Sequence, residues 1–166
     1  MTDENKNTKE SAETNPESQI YASDSMKKLL ALPSEQRAKV KVVLTGGVFD
    51  IIHLGHLYTL YEARKYGNFI VVAVARDDMI EKKGRKPVHS QEYRAKIVEA
   101  LKPVDAVVLG SENPDDIIKF VKPDIIVYGY DQHEFAKPQG VKIVKLTQFL
   151  EPERLKTNKI IKELGL

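Results

Sequence analysis

Eleven residues, Gly46-Gly47-Val48-Phe49-Asp50-Ile51-Ile52-His53-Leu54-Gly55-His56, limit what this chain can become more than any other stretch. Before them runs Val40-Lys41-Val42-Val43-Leu44-Thr45, short and β-branched, which reads as a buried strand; after them Leu57-Tyr58-Thr59-Leu60-Tyr61-Glu62-Ala63 has apolar residues at helical spacing. The order is therefore strand, glycine turn, histidine pair, helix. Gly46 and Gly47 would let the backbone approach a bound group, and a helix start near Leu54 offers unpaired N–H groups and a positive dipole end, a seat for phosphate. His53 and His56, three apart, share one side of that helix start and can face the same phosphate.

A chain of 166 residues fits one domain with a real core, and its longest apolar runs are too short to cross a bilayer. No basic, apolar leader opens the sequence, so the cytoplasm is the expected location. The absence of cysteine excludes disulfides, thiolate catalysis and cysteine-based metal sites. A net charge of +2 does not argue for nucleic acid, but it is unevenly spread: residues 1–25 carry −4, which leaves +6 on the body. The body's basic residues gather at Lys82-Lys83-Gly84-Arg85-Lys86 and between Arg154 and Lys162.

Residues 1–22 are polar and acidic with no periodic apolar face, and are expected to be a disordered tail. Residues 23–39 read as a short helical adaptor packed on the domain edge: a helix over 26–32 stopped by Pro33, then a turn capped by Ser34. Residues 40–166 form the main domain. Strands are expected at 40–45, 69–75, 106–109, 124–128 and 141–146, and helices at 57–66, 91–101 behind Ser90, 115–120 behind Asn113-Pro114, and from Thr157 onward. That alternation predicts an α/β fold, a Rossmann-like doubly wound sheet of five parallel strands in a single domain. Its ligand would sit beyond the carboxyl ends of the strands, where strand order reverses.

A histidine pair can also be a zinc half-site or two helix-capping residues. Zinc needs three or four ligands, and the other histidines, His89 and His133, lie far off in sequence. Gly55 weakens the helix start, a cost that makes sense where a phosphate must approach the backbone. The basic run could be a solvated face; following the second strand and a short turn over 77–81, it can swing over the same strand ends.

Beyond these single readings, Gly47-Val48-Phe49-Asp50, His53-Leu54-Gly55-His56, Gly84-Arg85-Lys86-Pro87, Arg94, Val104-Asp105, Gly129-Tyr130-Asp131-Gln132 and Lys156-Thr157-Asn158-Lys159 together resemble the cytidylyltransferase-like nucleotidyltransferases, over residues 40–164. Within that superfamily the chain looks most like the archaeal FAD synthetases and less like the glycerol-3-phosphate cytidylyltransferases. The resemblance implies attack by a phosphate monoester on the α-phosphate of a nucleoside triphosphate, with Mg²⁺ and release of pyrophosphate. The expected substrates are ATP rather than CTP and FMN rather than glycerol 3-phosphate, with no nucleic acid or membrane partner and a homodimer as the assembly.

The resemblance also implies roles. His53, His56, Lys83 and Arg85 would be catalytic; Gly46, Gly47, Val48, Phe49, Gly129, Tyr130, Asp131, Thr157 and Asn158 would join the histidines around the nucleotide. Asp50, Lys83, Arg85 and Lys86 would meet the acceptor. Asp50 would orient that substrate or the loop, unless it merely caps a helix from Ile51. Tyr130 could stack on a base while Asp131 reads an exocyclic amine. Arg94 and Asp105 are expected to form a structural ion pair, and His89 to be a turn residue. Lys156 and Asn158 stand where relatives place hydroxyl residues, and Arg154 lies too close to Thr157 for the arginine those relatives carry upstream.

Two other classes compete. A dinucleotide-binding oxidoreductase lacks support, because Gly46-Gly47 is no G-x-G-x-x-G and Ala75-Arg76 precede Asp77 at the end of the second strand. A non-catalytic nucleotide sensor would keep the same binding groups.

Overall fold

The computed structural model describes residues 20–134, 136–148 and 157–165. Its frame is a five-stranded parallel sheet with strands β1 (Val42–Gly47), β2 (Phe69–Val74), β3 (Ala106–Leu109), β4 (Ile125–Tyr128) and β5 (Lys142–Lys145), in the order β3-β2-β1-β4-β5. The runs VVL, IVV, AVVL and IIVY are apolar throughout because both faces of the sheet are covered. Helices α3 (Leu54–Arg64) and α5 (Gln91–Glu99) cover one face, where Leu60, Ala63, Ala95 and Val98 meet Val43, Ile70, Val72 and Val107. Helices α1 (Asp24–Leu30) and α6 (Pro114–Val121) cover the other, with Met26, Leu29, Ile117 and Val121 against Val42, Leu44, Val108 and Ile126. The short α2 (Ser34–Arg37), α4 (Asp77–Glu81) and α7 (Thr157–Glu163) complete the expected doubly wound α/β domain. No helix among the described residues is long and apolar enough to cross a membrane.

Local chemistry sets the boundaries. Residues 40 and 41 fall outside β1 because Lys41 serves the turn before β2: Asn68 Oδ1 accepts from its N–H at 2.7 Å, and its carbonyl accepts from Asn68 and Phe69. At the other end, Gly46 and Gly47 are the last two residues of β1, paired with Ala73 and Val74, rather than the expected turn. A Cβ on Gly46 would stand 3.2 Å from the Ala73 carbonyl oxygen, and one on Gly47 would stand 2.8 Å from the Phe49 ring. The turn proper follows, with Phe49 buried at a φ of 52°. Ser90 caps α5 as expected, and Asn113, expected as part of a turn, caps α6 with Pro114 in its first turn, whereas Ser34 lies inside α2 and Pro33 takes the cap position with no side-chain bond.

The N-terminal adaptor is built into the sheet margin. Ser23 caps α1 through its Oγ, and the same oxygen accepts from Val107 N–H at 3.0 Å. Ser23 N–H donates to Val107 O, Leu109 N–H donates to Tyr21 O, and Ala22 forms an antiparallel bridge with Val108. These bonds occupy the free edge of β3, and the burial of Met26 and Leu29 fastens them with about 1.5–3 kcal/mol per side chain. Residues 20–22 of the expected tail thus belong to the sheet edge; residues 1–19 lie outside the described residues.

Candidate active site

Three segments leave the carboxyl edge of the sheet beside the point where strand order reverses between β1 and β4: residues 48–56 after β1, 82–89 beyond β2 and α4, and 129–132 after β4. His53 is the N-cap of α3. Its Nδ1 accepts from Gly55 N–H at 3.1 Å, and His56 Nδ1 accepts from the His53 N–H at 3.4 Å, a reciprocal capping box made of two imidazoles. The ring centroids lie 3.9 Å apart. With both Nδ1 atoms accepting, each neutral ring carries its proton on Nε2. Burial, and then the neighbouring His53, lowers the pKa of His56 to about 3; burial also lowers that of His53, against the pull of the Asp131 carboxylate. At neutral pH the pair is therefore a set of uncharged donors. The Phe49 ring packs 4.9 Å from that of His56 and fixes it from behind.

Asp50 does not cap a helix, and its fully buried carboxylate is closed off from any acceptor. It accepts from the Arg85 guanidinium and from the N–H groups of Val88 and His89 at about 3.0 Å, while its carbonyl meets His89 Nδ1. Burial alone would raise its pKa, but Arg85 and the two N–H groups hold it below the ordinary carboxylate value. Of its two expected roles, these bonds serve the loop. Arg85 is thereby spent on holding the basic segment down, Lys82 pairs with Glu112, and Lys83 and Lys86 stand exposed. His89 is a turn residue, as expected, and part of this clamp.

Arg94 and Asp105 do not pair with each other. Asp105 binds Arg64 and accepts from Ile70 N–H at 2.7 Å, a strand-edge role. Arg94 is fully buried and donates to Val48 O and Asp77 Oδ1 at 2.6 Å each and to His89 O at 3.0 Å. Asp77 in turn accepts from Gln91 N–H while Gln91 Oε1 accepts from Asp77 N–H. One guanidinium thus ties the turn after β1 to the end of the basic segment and the start of α4, three parts that are remote in sequence. Only its place on the apolar stripe of α5, beside Ala95 and one turn before Val98, could have signalled it.

On the other flank, Gln132 bonds Gly129 N–H at 2.9 Å and Gly46 O at 2.6 Å, so the loop holding Tyr130 and Asp131 is fastened to the end of β1. Helix α7 begins at Thr157, as expected; the side chains of Thr157 and Asn158, and residues 149–156 with Arg154 and Lys156, lie outside the described residues. No group of three or more His, Asp or Glu side chains among the described residues could hold a metal ion. A separate hollow of about 670 Å³, walled by Tyr21, Arg76, Gln91, Asn113 and Asp116, lies at the β3 flank and is lined by none of the expected nucleotide residues.

Comparison with known proteins agrees with this layout. The cytidylyltransferase-like family model matches residues 44–162. A FAD synthase of Aciduliprofundum boonei is 44% identical over 131 residues, spanning 72% of this chain and 87% of that protein. One from Thermococcus sibiricus is 38% identical over 141 residues, spanning 78% and 95%. A crystal structure described as the lipopolysaccharide core biosynthesis protein of Thermoplasma volcanium superposes with a TM-score of 0.62 at 38% identity, covering 66% of this chain and 98% of that one.

Proposed function

The chain belongs to the cytidylyltransferase-like family and is a nucleotidyltransferase, and on that premise we propose that it adenylylates FMN with ATP to make FAD. The observation that carries the substrate assignment is its 38–44% identity to FAD synthases across nearly their whole length. A phosphate oxygen of FMN attacks the α-phosphorus of ATP, the bond from that phosphorus to the bridging α,β-oxygen breaks, and pyrophosphate leaves with the electron pair. No covalent enzyme intermediate is required, so the protein's work is alignment and the stabilisation of growing negative charge.

The neutral Nε2–H groups of His53 and His56 donate to phosphate oxygens, and the N–H groups opening α3 add to them. Because these donors are uncharged, charge neutralisation falls to Lys83 and Lys86 and to a magnesium ion. Mg²⁺, brought with the triphosphate, would supply further positive charge as pyrophosphate leaves. The loop with Gly129, Tyr130 and Asp131 receives the base, and Gly46 to Phe49 with Thr157 and Asn158 border the nucleotide. A homodimer acting in the cytoplasm, on ATP in preference to CTP, completes the reading.

The test is pyrophosphate release from ATP or CTP crossed with FMN, glycerol 3-phosphate, nicotinamide mononucleotide, phosphopantetheine and phosphocholine. FAD identified by chromatography in the ATP and FMN arm is the expected product. Turnover confined to CTP with glycerol 3-phosphate would replace the substrates, and nucleotide binding without turnover in any arm would mark a sensor.

A further inference from the structure

The β1 and β4 strands part company early. Their pairing covers only Val43 with Ile125 and Leu44 with Ile126, whereas β1 continues beside β2 as far as Gly47. Ala75 N–H donates to Gly47 O on the β2 side, so the preceding carbonyl, that of Gly46, faces the β4 side, where the ladder has already ended. A backbone acceptor at the mouth of the crevice would be left without its strand partner there. Gln132 Nε2 takes that place at 2.6 Å, and Gln132 Oε1 accepts from Gly129 N–H at 2.9 Å. The glutamine is itself held by its own N–H to Gly129 O at 3.1 Å and by Lys145 Nζ on its carbonyl.

We infer that Gln132 is a positioning residue that sets the width of the crevice between β1 and β4, and through it the affinity and base preference for the nucleotide. This rests on the nucleotide-site reading above. A primary amide is the side chain suited to the post: it donates to one strand and accepts from the other with no charge to bury. A carboxylate would accept from Gly129 but repel the Gly46 carbonyl. Both polar atoms of the Gln132 side chain are taken up by Gly129 and Gly46, so it acts through Tyr130 and Asp131, whose loop reaches close enough for the Asp131 charge to be felt at His53.

Q132M and Q132E in the full chain test this. Titration with α,β-methylene-ATP reads binding without turnover, and Q132M should bind about tenfold more weakly, the loss expected for bridging hydrogen bonds at a site's edge. The KM for ATP should rise similarly while that for FMN stays within about twofold, and the ATP-to-CTP preference should fall in both variants. A glutamine that only stabilises the fold would lower the melting temperature and leave Kd, the KM ratio and base preference at wild-type values; that result overturns the inference. Should Q132M fail to fold, Q132E decides by the same measurements, because it keeps the Gly129 bond. If the wild type binds the analogue but makes no FAD, the substrate assignment fails and the binding data still judge Gln132; if it binds no nucleotide, both fall.

Discussion

His56 shows how one side chain can serve both fold and chemistry. Its Nδ1 closes the start of α3 and its Nε2–H is left as a donor, so replacement removes a donor from the site while the helix keeps its other cap, His53. His56→Ala should lower kcat by about 10²–10³-fold, as for the loss of one preorganised donor to a reacting anion, with the folded state retained by circular dichroism. The pH response follows from the same burial. The folded-state pKa near 3 lies below the ordinary histidine value of 6.5, so the unfolded chain binds more protons between those limits. Stability should therefore be full above about pH 6.5 and decline as pH falls, by up to about 1.4 kcal/mol per unit. Urea unfolding at pH 7 and pH 5 measures the slope, which His56→Ala should flatten. Both histidines were legible as a pair in the sequence. Their neutrality was not, because it comes from the packing of Phe49 and the surrounding core, which no local spacing encodes.

Among the elements, the turn after β1 and the basic segment behave as one unit held from two sides. Asp50 grips Arg85, Val88 and His89 from within, and Arg94 reaches out of α5 to Val48, His89 and Asp77. Arg94→Met should cost about 3–5 kcal/mol, the range for removing one member of a buried ionic network, measured by denaturant unfolding. Amide exchange should accelerate at Phe49, Asp50 and His89 ahead of the strands. The strands themselves were readable as apolar β-branched runs, the cap of α5 as Ser90, and the break before α6 as Asn113-Pro114, because those signals are local. Arg94 was paired with the wrong carboxylate, since choosing between Asp77 and Asp105 requires knowing how α5 lies across β2. The two glycines were read as a turn for a related reason: what forbids a Cβ there is the Ala73 carbonyl of the neighbouring strand and a ring that folds back.

For the whole molecule, the predicted α/β plan and its five parallel strands are what the structure contains, and the site stands at the reversal of strand order. The adaptor was legible as helix but not as the cover of β3, because its hydrogen bonds join residues more than eighty apart. Deleting residues 1–32 should bare the N–H groups of Val107 and Leu109 on that edge and raise the assembled mass by pairing between uncovered β3 edges. Size-exclusion chromatography with light scattering reads this, and an unchanged mass would show that β3 needs no cover. The same contact has a consequence for biosynthesis. Ser23 and Val107 are 84 positions apart, so at ribosomal speeds of about 5–20 residues per second the segment around Ser23 waits roughly 4 to 17 s before its partner strand is even translated. A segment made well before β3 thus stays without its strand partner until β3 itself has been made.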